Sequence, residues 1–484
     1  MADSKNMLSF DFGNSTLRSI LCHFDGEKIT SEVILSEANE IIKIDEYFYW
    51  DFLRLFSFMK KSIEKAASEV KLDSVGICTW GVDFMLFDGD NHMLSNALCY
   101  RNSIGSEIME RQSAEEQKAM FYRTGILCDK INSIYMLKGI QEKMPSIASQ
   151  AKKLLMVPDV LTYFMTGVME NEPSELSTTQ LFDVRSMSIS HEQCEALGID
   201  PGLFQKIGEH GKVIGNIKRE ILDEMKIDYD IPFICAPSHD TASAVFGIPC
   251  EDEEFFFVSS GTWALIGAQI KKPVLTEEVI EGRLTNEVGA FGRITLLKNS
   301  IGMFITQRLK AEYQRDIQKT VSWNEFTDLA KGFEGKPGVF DVNHGDFFNP
   351  VHMGQAIHKH LHPENADGKL NWNEIVASVF ASIAESYCIG LRAVMKATGK
   401  EADVIYVVGG GSKNAIINQT CADDLGKKIV TCDMECSCVG VAAAQLAGIC
   451  PEFSYGDLRK IIKASLKTNT YYPGKKMIFR RKIK

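Results

Sequence analysis

One local pattern recurs in this chain: a short apolar strand, a turn of glycine and small polar residues, and a second strand. Residues 7–10 read as a strand that ends at Asp11, Gly13-Asn14-Ser15-Thr16 turns, and residues 17–24 return. In the second half, residues 255–259 lead through Ser260-Gly261-Thr262 into residues 263–269. A chain that opens each half in the same way is expected to hold one α/β domain twice. At 484 residues it is also too long for a single core. Two domains are expected, 1–250 and 251–484, divided at the acidic turn 250–254.

The segments between fit that class. Helical spacing covers 49–70, and residues 75–78 and 84–87 are short buried strands. Mainly helical patterns run from 106 to about 166, with 154–156 as a strand among them. Residues 232–236 are strand-like and lead into Ser238-His239-Asp240-Thr241 and a helix start at 242–246. A buried strand at 404–408 breaks at Gly409-Gly410-Gly411, and 414–425 is helical.

Bulk properties exclude several classes. The net charge of −11, from 53 basic and 64 acidic residues, argues against a nucleic-acid partner. It leaves room for an anionic ligand, which a few cations and backbone N–H groups suffice to hold. The 13 cysteines lie in apolar runs, such as Cys78 and Cys388, and suit reduced, buried thiols. Cys432, Cys436 and Cys438 cluster, but lack the second pair a zinc site would want. Residues 1–5 show no basic region leading into an apolar stretch, and no apolar run reaches the roughly 18 residues of a membrane span. A cytoplasmic protein with no membrane partner is expected. The last ten residues carry six basic side chains and read as a solvated tail.

Five segments could carry chemistry. The hairpin Gly13, Asn14, Ser15, Thr16 offers backbone N–H groups and hydroxyls to phosphate oxygens, with Arg18 adding a planar cationic fork. Asp11 at the strand end could hold hydrated Mg²⁺. Gly261 and Thr262 form the same kind of turn in the second half. Gly410 and Gly411, with Asn414 at the head of the next helix, let a phosphate or a flat ring approach closely. Asp240, at a strand-to-helix junction, could take a proton from a substrate hydroxyl, or merely cap the helix. Beside it, His239 could donate to a sugar hydroxyl or be structural. Trp80 and Asp83 pair an indole with a carboxylate, which suits a sugar; the alternative is a core indole and a turn residue. No dinucleotide GxGxxG and no P-loop is present.

Taken in order, these segments resemble the FGGY family of carbohydrate kinases over nearly the whole chain, most of all its rhamnulokinase branch. The resemblance is carried by Asp11-Phe12-Gly13 with Arg18, Thr79-Trp80-Gly81-Val82-Asp83-Phe84, Tyr100-Arg101, Pro158-Asp159, Ser177-Thr178-Thr179-Gln180-Leu181, Ser238-His239-Asp240-Thr241-Ala242-Ser243-Ala244, Ser259-Ser260-Gly261-Thr262-Trp263, Thr285-Asn286-Glu287, Leu297-Lys298-Asn299 and Val408-Gly409-Gly410-Gly411. It implies a duplicated actin-like, ribonuclease-H-like fold with a cleft between two domains. It implies ATP, Mg²⁺, and transfer to a primary hydroxyl of a ketose, L-rhamnulose in that branch. L-fuculose or a related ketose or polyol stays open. By position, Asp240 is similar to the family's base. Gly81, His239 and Asn299 are similar to its sugar contacts, and Thr262, Gln307 and Gly410 or Gly411 to its nucleotide contacts.

Val288 stands after Glu287 where the family usually has Gly, and two further stretches depart from it. Asn102 stands where Asp follows Tyr-Arg, and Leu127-Cys128-Asp129-Lys130-Ile131 replaces the usual run after Thr124-Gly125-Ile126. Both belong to the sugar side in the family. The expected partners are a sugar and ATP, acting on a monomer or homodimer. Rival readings are a non-catalytic sugar or ATP sensor and an actin- or chaperone-like ATPase. The intact Asp240 and both phosphate turns weigh against the sensor. The Trp80–Phe84 motif weighs against the ATPase.

Overall fold

The structure, a computed structural model, describes residues 3–432 and 436–474; the basic tail 475–484 lies outside the described residues. The chain forms two compact units, each assembled from separate stretches. The first comprises Met1–Glu253, Gln269–Leu296 and Glu435–Leu466, and the second Glu254–Ala268, Leu297–Met434 and Lys467–Lys484.

The first unit is built on a six-stranded sheet. Its strands are β1 (Lys5–Phe12), β2 (Thr16–Phe24), β3 (Ile29–Ala38), β4 (Ser74–Thr79), β5 (Val213–Asn216) and β6 (Pro232–Ile234), in the order β5-β6-β4-β1-β2-β3. β1 to β3 form an antiparallel meander, while β1 pairs parallel with β4, and β4 with β6. Asp25 tightens the β2–β3 turn, its Oδ1 accepting from the N–H groups of Glu27 and Lys28 at 2.9 Å, with Gly26 at φ 101°.

Side-chain alternation splits β1 between two cores. Leu8, Phe10 and Phe12 join Phe52, Leu55, Phe58 and Met59 of the helix Phe52–Glu69 on one face. Met7 lies on the other face, with Cys438, Val439 and Ala442 of the helix Cys436–Ile449. Gln445 of that helix is fully buried. It accepts from Ser74 Oγ at 2.8 Å and donates to Ser9 Oγ at 3.1 Å, which pins the helix across β1 and β4.

The helix expected from residue 49 begins at Phe52 instead. Residues 47–50 pair as a strand with Ile41–Ile44, the bulky aromatics Tyr47, Phe48, Tyr49 and Trp50 preferring an extended backbone. Asp51 then caps the helix, accepting from Arg54 N–H at 3.3 Å.

The second unit has strands β7 (Phe255–Ser260), β8 (Trp263–Ile270), β9 (Ile294–Ile301), β10 (Val404–Val408), β11 (Lys428–Cys432) and β12 (Thr468–Tyr471), which lie in the order β9-β8-β7-β10-β11-β12 within a seven-stranded sheet. β7, β10 and β11 are parallel, and β12 closes antiparallel. In both units the third, second, first and fourth strands are neighbours in that order, so the repeated hairpin of the sequence is the start of a repeated sheet. Among the described residues, the helix Trp372–Thr398 is the one long and apolar enough to cross a membrane, yet 78% of its most apolar window is buried in protein. It is a core helix. None of the described cysteines forms a disulfide.

Two glycines set the spacing behind β4. A Cβ on Gly440 would sit 2.0 Å from the carbonyl oxygen of Ser243, and one on Gly247 would sit 1.9 Å from that of Cys436. The helices Asp240–Phe246 and Cys436–Ile449 therefore touch backbone to backbone. Gly440→Ala is expected to cost about 1–3 kcal/mol by overpacking, read as a lower urea midpoint at unchanged slope. An unchanged midpoint would show that this contact can relax freely.

Candidate active site

Three parallel strands of the first unit end side by side. Asp11 is in register with Cys78 and Phe12 with Thr79; Thr79 in turn bridges to His239, its N–H donating to Ser238 O at 2.7 Å. Asp11, Trp80-Gly81 and His239-Asp240 thus project from neighbouring carboxyl ends, where open α/β sheets bind ligands. Asp240 is the first residue of its helix. Its side chain keeps 38% of its surface open. Burial among protein atoms pushes its carboxyl above the usual range, the neighbouring His239 holds it down, and Asp11 raises it. Cys78 lies between the two acids, 3.8 Å from Asp11 Oδ1. Burial first, then Asp11 and Asp240, push its thiol well up, so it stays protonated.

His239 carries the opposite charge. Burial works to lower its pKa, but Glu287, with Asp240 behind it, wins and lifts it to about 9. Glu287 Oε2 lies 3.4 Å from Nδ1, off the line of a hydrogen bond, and Asp240 Oδ1 lies 3.6 Å from Nε2. The imidazolium is thus held by charge between two carboxylates. Its backbone N–H donates to Ser174 Oγ at 3.0 Å, and that hydroxyl donates to Glu172, which is paired with the buried His210. Gly81 packs against the same ring. A Cβ there would meet His239 Cδ2 at 3.2 Å and Thr178 Cγ2 at 2.7 Å. Val82 next to it sits at φ 74°, a strained setting for a β-branched residue, held by Thr178 Oγ1 on its N–H and Ser133 Oγ on its carbonyl.

Trp80 and Asp83 are almost wholly buried, with 3% and 2% exposure. Asp83 Oδ2 accepts from the indoles of Trp50 at 2.6 Å and Trp80 at 2.9 Å, and the two indoles lie 4.1 Å apart. Burial pushes Asp83 up to about 7 against the pull of these donors. The Trp–Asp pair is therefore bonded to itself and to Trp50.

The first hairpin is braced from beside it. Asn39 donates its backbone N–H to Ser15 O at 3.0 Å and its side-chain amide to Gly13 O at 2.9 Å. Ser15 and Thr16 are exposed, and the buried amide oxygen of Asn14 takes no hydrogen bond. Asp11 Oδ2 accepts from Arg18 and, at 2.8 Å, from Ser437 Oγ at the start of the helix Cys436–Ile449.

The remaining expected residues belong to the second unit. The Gly261-Thr262 carbonyls accept from Gly302, Met303 and Phe304 N–H at 2.8–3.2 Å, which docks the hairpin on the helix Phe304–Asp316. Gln307 is exposed one turn into that helix, and Asn299 is exposed on β9. Gly409, at φ 80°, and Gly411 pack on Ser260, where added Cβ atoms would meet its O at 2.9 Å and its Oγ at 1.8 Å. Gly410 is exposed and roomy. Asn414 caps the helix Ala415–Leu425, accepting from Ile416 and Ile417 N–H at 3.1 Å.

Both halves of the chain have known counterparts. Residues 6–247 match the N-terminal domain of the FGGY family of carbohydrate kinases, and residues 256–449 its C-terminal domain. The chain belongs to the FGGY family of carbohydrate kinases. It is 31% identical over 466 residues to a rhamnulokinase of Oceanobacillus iheyensis, covering 96% of this chain and 97% of the relative. A rhamnulokinase of Bacteroides thetaiotaomicron is 29% identical over 474 residues, covering 97% and 96%. Among solved structures, a ligand-bound xylulose kinase of Lactobacillus acidophilus superposes with a TM-score of 0.80 at 16% identity, covering 98% of this chain and 95% of that one. A Plasmodium falciparum glycerol kinase with ADP gives 0.76 at 15%, covering 97% and 94%. At such identities the structures establish the fold, the FGGY kinase fold. As a member of this family the protein is an ATP-dependent sugar phosphotransferase.

For an FGGY kinase, two contacts at the site were not singled out from sequence. Glu287 stands in the Thr-Asn-Glu motif but far along the chain from His239, and Ser437 carries no motif at all. Asn102, a departure from the family, has a local reason. Its amide accepts from Phe48 N–H and donates to the carbonyls of Phe48 and Cys99, at 2.7–2.8 Å. The other departing stretch is tied down as well: Leu127 N–H donates to Thr285 Oγ1, and Asn132 Nδ2 to Thr178 O, both at 3.0 Å.

Asn102→Asp removes both donor bonds and buries a charge, so a loss of about 1–3 kcal/mol is expected in chemical unfolding; equal stability would refute the pairing. His239 offers a second check. Its folded pKa, about 9, lies above an unfolded value near 6.5, so its stabilisation is complete below that value and is lost as pH climbs through 9. An NMR imidazole titration is expected near 9 in the wild type and lower in Glu287→Gln. The same midpoint in both would remove Glu287 as the cause.

Proposed function

We propose that this kinase transfers the γ-phosphoryl group of ATP to the primary 1-hydroxyl of L-rhamnulose, with Asp240 as the base. The observation that carries the assignment of the base is the solvent-reachable Asp240, with its raised proton affinity, beside His239, whose imidazole is lifted to about 9. The names of the curated relatives, rhamnulokinases at 29–31% identity over nearly full length, support the sugar.

The steps follow from what these groups can do. The sugar hydroxyl loses its proton to Asp240 as its oxygen bonds to γ-phosphorus, the bond to the β–γ bridging oxygen breaks, and ADP leaves. His239 donates to a sugar oxygen and keeps Asp240 oriented. Gly81 leaves the space in which ring and substrate fit together. The buried Trp80–Asp83 pair shapes the floor beneath Gly81 rather than offering a free carboxylate. Such transfers have loose transition states, so alignment and charge neutralisation supply most of the rate. Gly13, Asn14, Ser15, Thr16 and Arg18 would receive phosphate oxygens, and Asn299 would meet the sugar. Gly261, Thr262, Gln307, Gly410 and Gly411 would serve the nucleotide, with Asn414 holding the glycine turn in place by capping its helix.

Asp11 suits Mg²⁺ only at second hand. Its oxygens already accept from Arg18, Ser437 and Cys78, which leaves them fit to receive hydrogen bonds from metal-bound water. Mg²⁺ held there would offset charge on the β and γ oxygens. The reaction is placed in the cytoplasm, with sugar and ATP as partners and a monomer or homodimer as the acting form.

ADP release in a coupled assay over L-rhamnulose, L-fuculose, L-ribulose, D-xylulose and glycerol tests the sugar. The highest kcat/KM is expected for L-rhamnulose; a higher value for any other would replace it. Asp240→Asn is expected to lose about 10²–10⁴-fold in kcat while still binding ATP. Near-wild-type turnover would take Asp240 out of the role.

A further inference from the structure

Away from these residues, the second unit holds a compact set of metal-ligating side chains. Half of the chain's ten histidines fall between residues 344 and 362. Three groups converge: the ligand atoms of His344, Asp346 and His360 all lie within 4.8 Å of one another. His360 Nε2 is 2.9 Å and His344 Nδ1 3.6 Å from the same oxygen, Asp346 Oδ2. A zinc-like ion holds nitrogen and oxygen ligands at about 2.0–2.2 Å in a tetrahedron, which sets neighbouring donors roughly 3.3 Å apart. Two of the three separations bracket that figure, and the third is within 4.8 Å.

The three side chains come from two elements held against each other. His344 and Asp346 belong to the turn that leads through Gly345–Phe347, and His360 to the helix Met353–Leu361. The His360 ring packs against both His344 and the fully buried Phe347, each centroid 4.8 Å away. Phe347 rests in turn on Phe340 at 4.8 Å. His344 Nδ1 accepts from Asp346 N–H at 3.3 Å, so that nitrogen carries its lone pair, the form a metal requires. His344 and Asp346 are more than half exposed, so an ion can enter and a fourth position stays open to water.

We infer that His344, Asp346 and His360 form a binding site for a late first-row divalent transition ion of the Zn²⁺ type. Two imidazoles and one carboxylate select such ions over Mg²⁺ and Ca²⁺, which take oxygen ligands. The site is therefore separate in kind from the Mg²⁺ of phosphoryl transfer. The neighbouring cluster Asp88, Asp90 and His92 is a poorer candidate. Asp88 Oδ1 already accepts two backbone N–H bonds that form its own turn.

The position gives the ion a structural effect. Asn343, next to His344, accepts from Ile301 N–H at 2.9 Å and Ser300 Oγ at 3.1 Å, beside Asn299. Phe348, two residues beyond Asp346, packs on Trp263 at 6.3 Å, beside Thr262. Clamping residues 344–346 to the helix Met353–Leu361 would stiffen both neighbours.

The test uses tag-free, full-length protein stripped with a chelator. Co²⁺ titration of the wild type is expected to give one equivalent with visible d–d absorption of a tetrahedral site, bleached by Zn²⁺, and a higher melting temperature with Zn²⁺. Second-shell changes alone cost about 10–100-fold in metal affinity. Asp346→Asn and His360→Gln are therefore each expected to weaken Co²⁺ at least ~100-fold, with circular dichroism and metal-free kinase activity unchanged. His352→Gln, an exposed neighbour outside the triad, is expected to bind as the wild type does. Absence of the Co²⁺ bands in the wild type, or equal binding by all three variants, would overturn the site.

Discussion

Parallel pairing of β1, β4 and β6 is the constraint from which the rest of the first unit follows. Because strand ends in such a sheet lie level, Asp11, Gly81 and Asp240 are neighbours although they are far apart in sequence. Alternation along β1 then sorts its residues: even positions feed one core, while Met7 lies in the other and Ser9 and Asp11 bond the helix Cys436–Ile449. Asp11 at the strand end is thus steadied by a hydroxyl from that helix, and Asp240 by its own helix packed on the same partner.

Electrostatics at the site rest on unequal treatment of acids. Asp240 and Asp11 lie on either side of a thiol that stays neutral, and only Asp240 is open enough to exchange protons. Deeper in, burial pushes Asp159 and Glu175 well above the usual carboxylate range, whereas Glu172 is pulled low by His210 despite burial. Charge is permitted where a cation answers it and suppressed elsewhere. The imidazolium of His239 answers both Glu287 and Asp240, so Glu287 bears on Asp240 through that ring.

Much of this was legible in the chain. Continuous apolar runs with glycine-rich turns located β1, β2, β4, β7 and β10, because strands buried on both faces must be apolar throughout. Of the glycines at 409–411, two make way for Ser260 and one is left open. What stayed hidden was set by distance. Residues 49–50 look helical beside an amphipathic helix, and only their partner strand shows otherwise. Trp80 and Asp83 looked like a sugar platform because sequence does not reveal that a second indole, Trp50, competes for the carboxylate. Glu287 and Ser437 lie too far along the chain for any spacing rule to reach.

The first sheet also imposes an order on biosynthesis. One of its faces is covered by residues 436–449, which leave the ribosome only when nearly the whole polypeptide has been made. Until then Met7, Ile20, Cys22 and Phe24 have no lid, and the early product is an apolar surface awaiting its other layer. A chain cut short before residue 436 would therefore lose one layer of the first unit as well as the closing strand of the second.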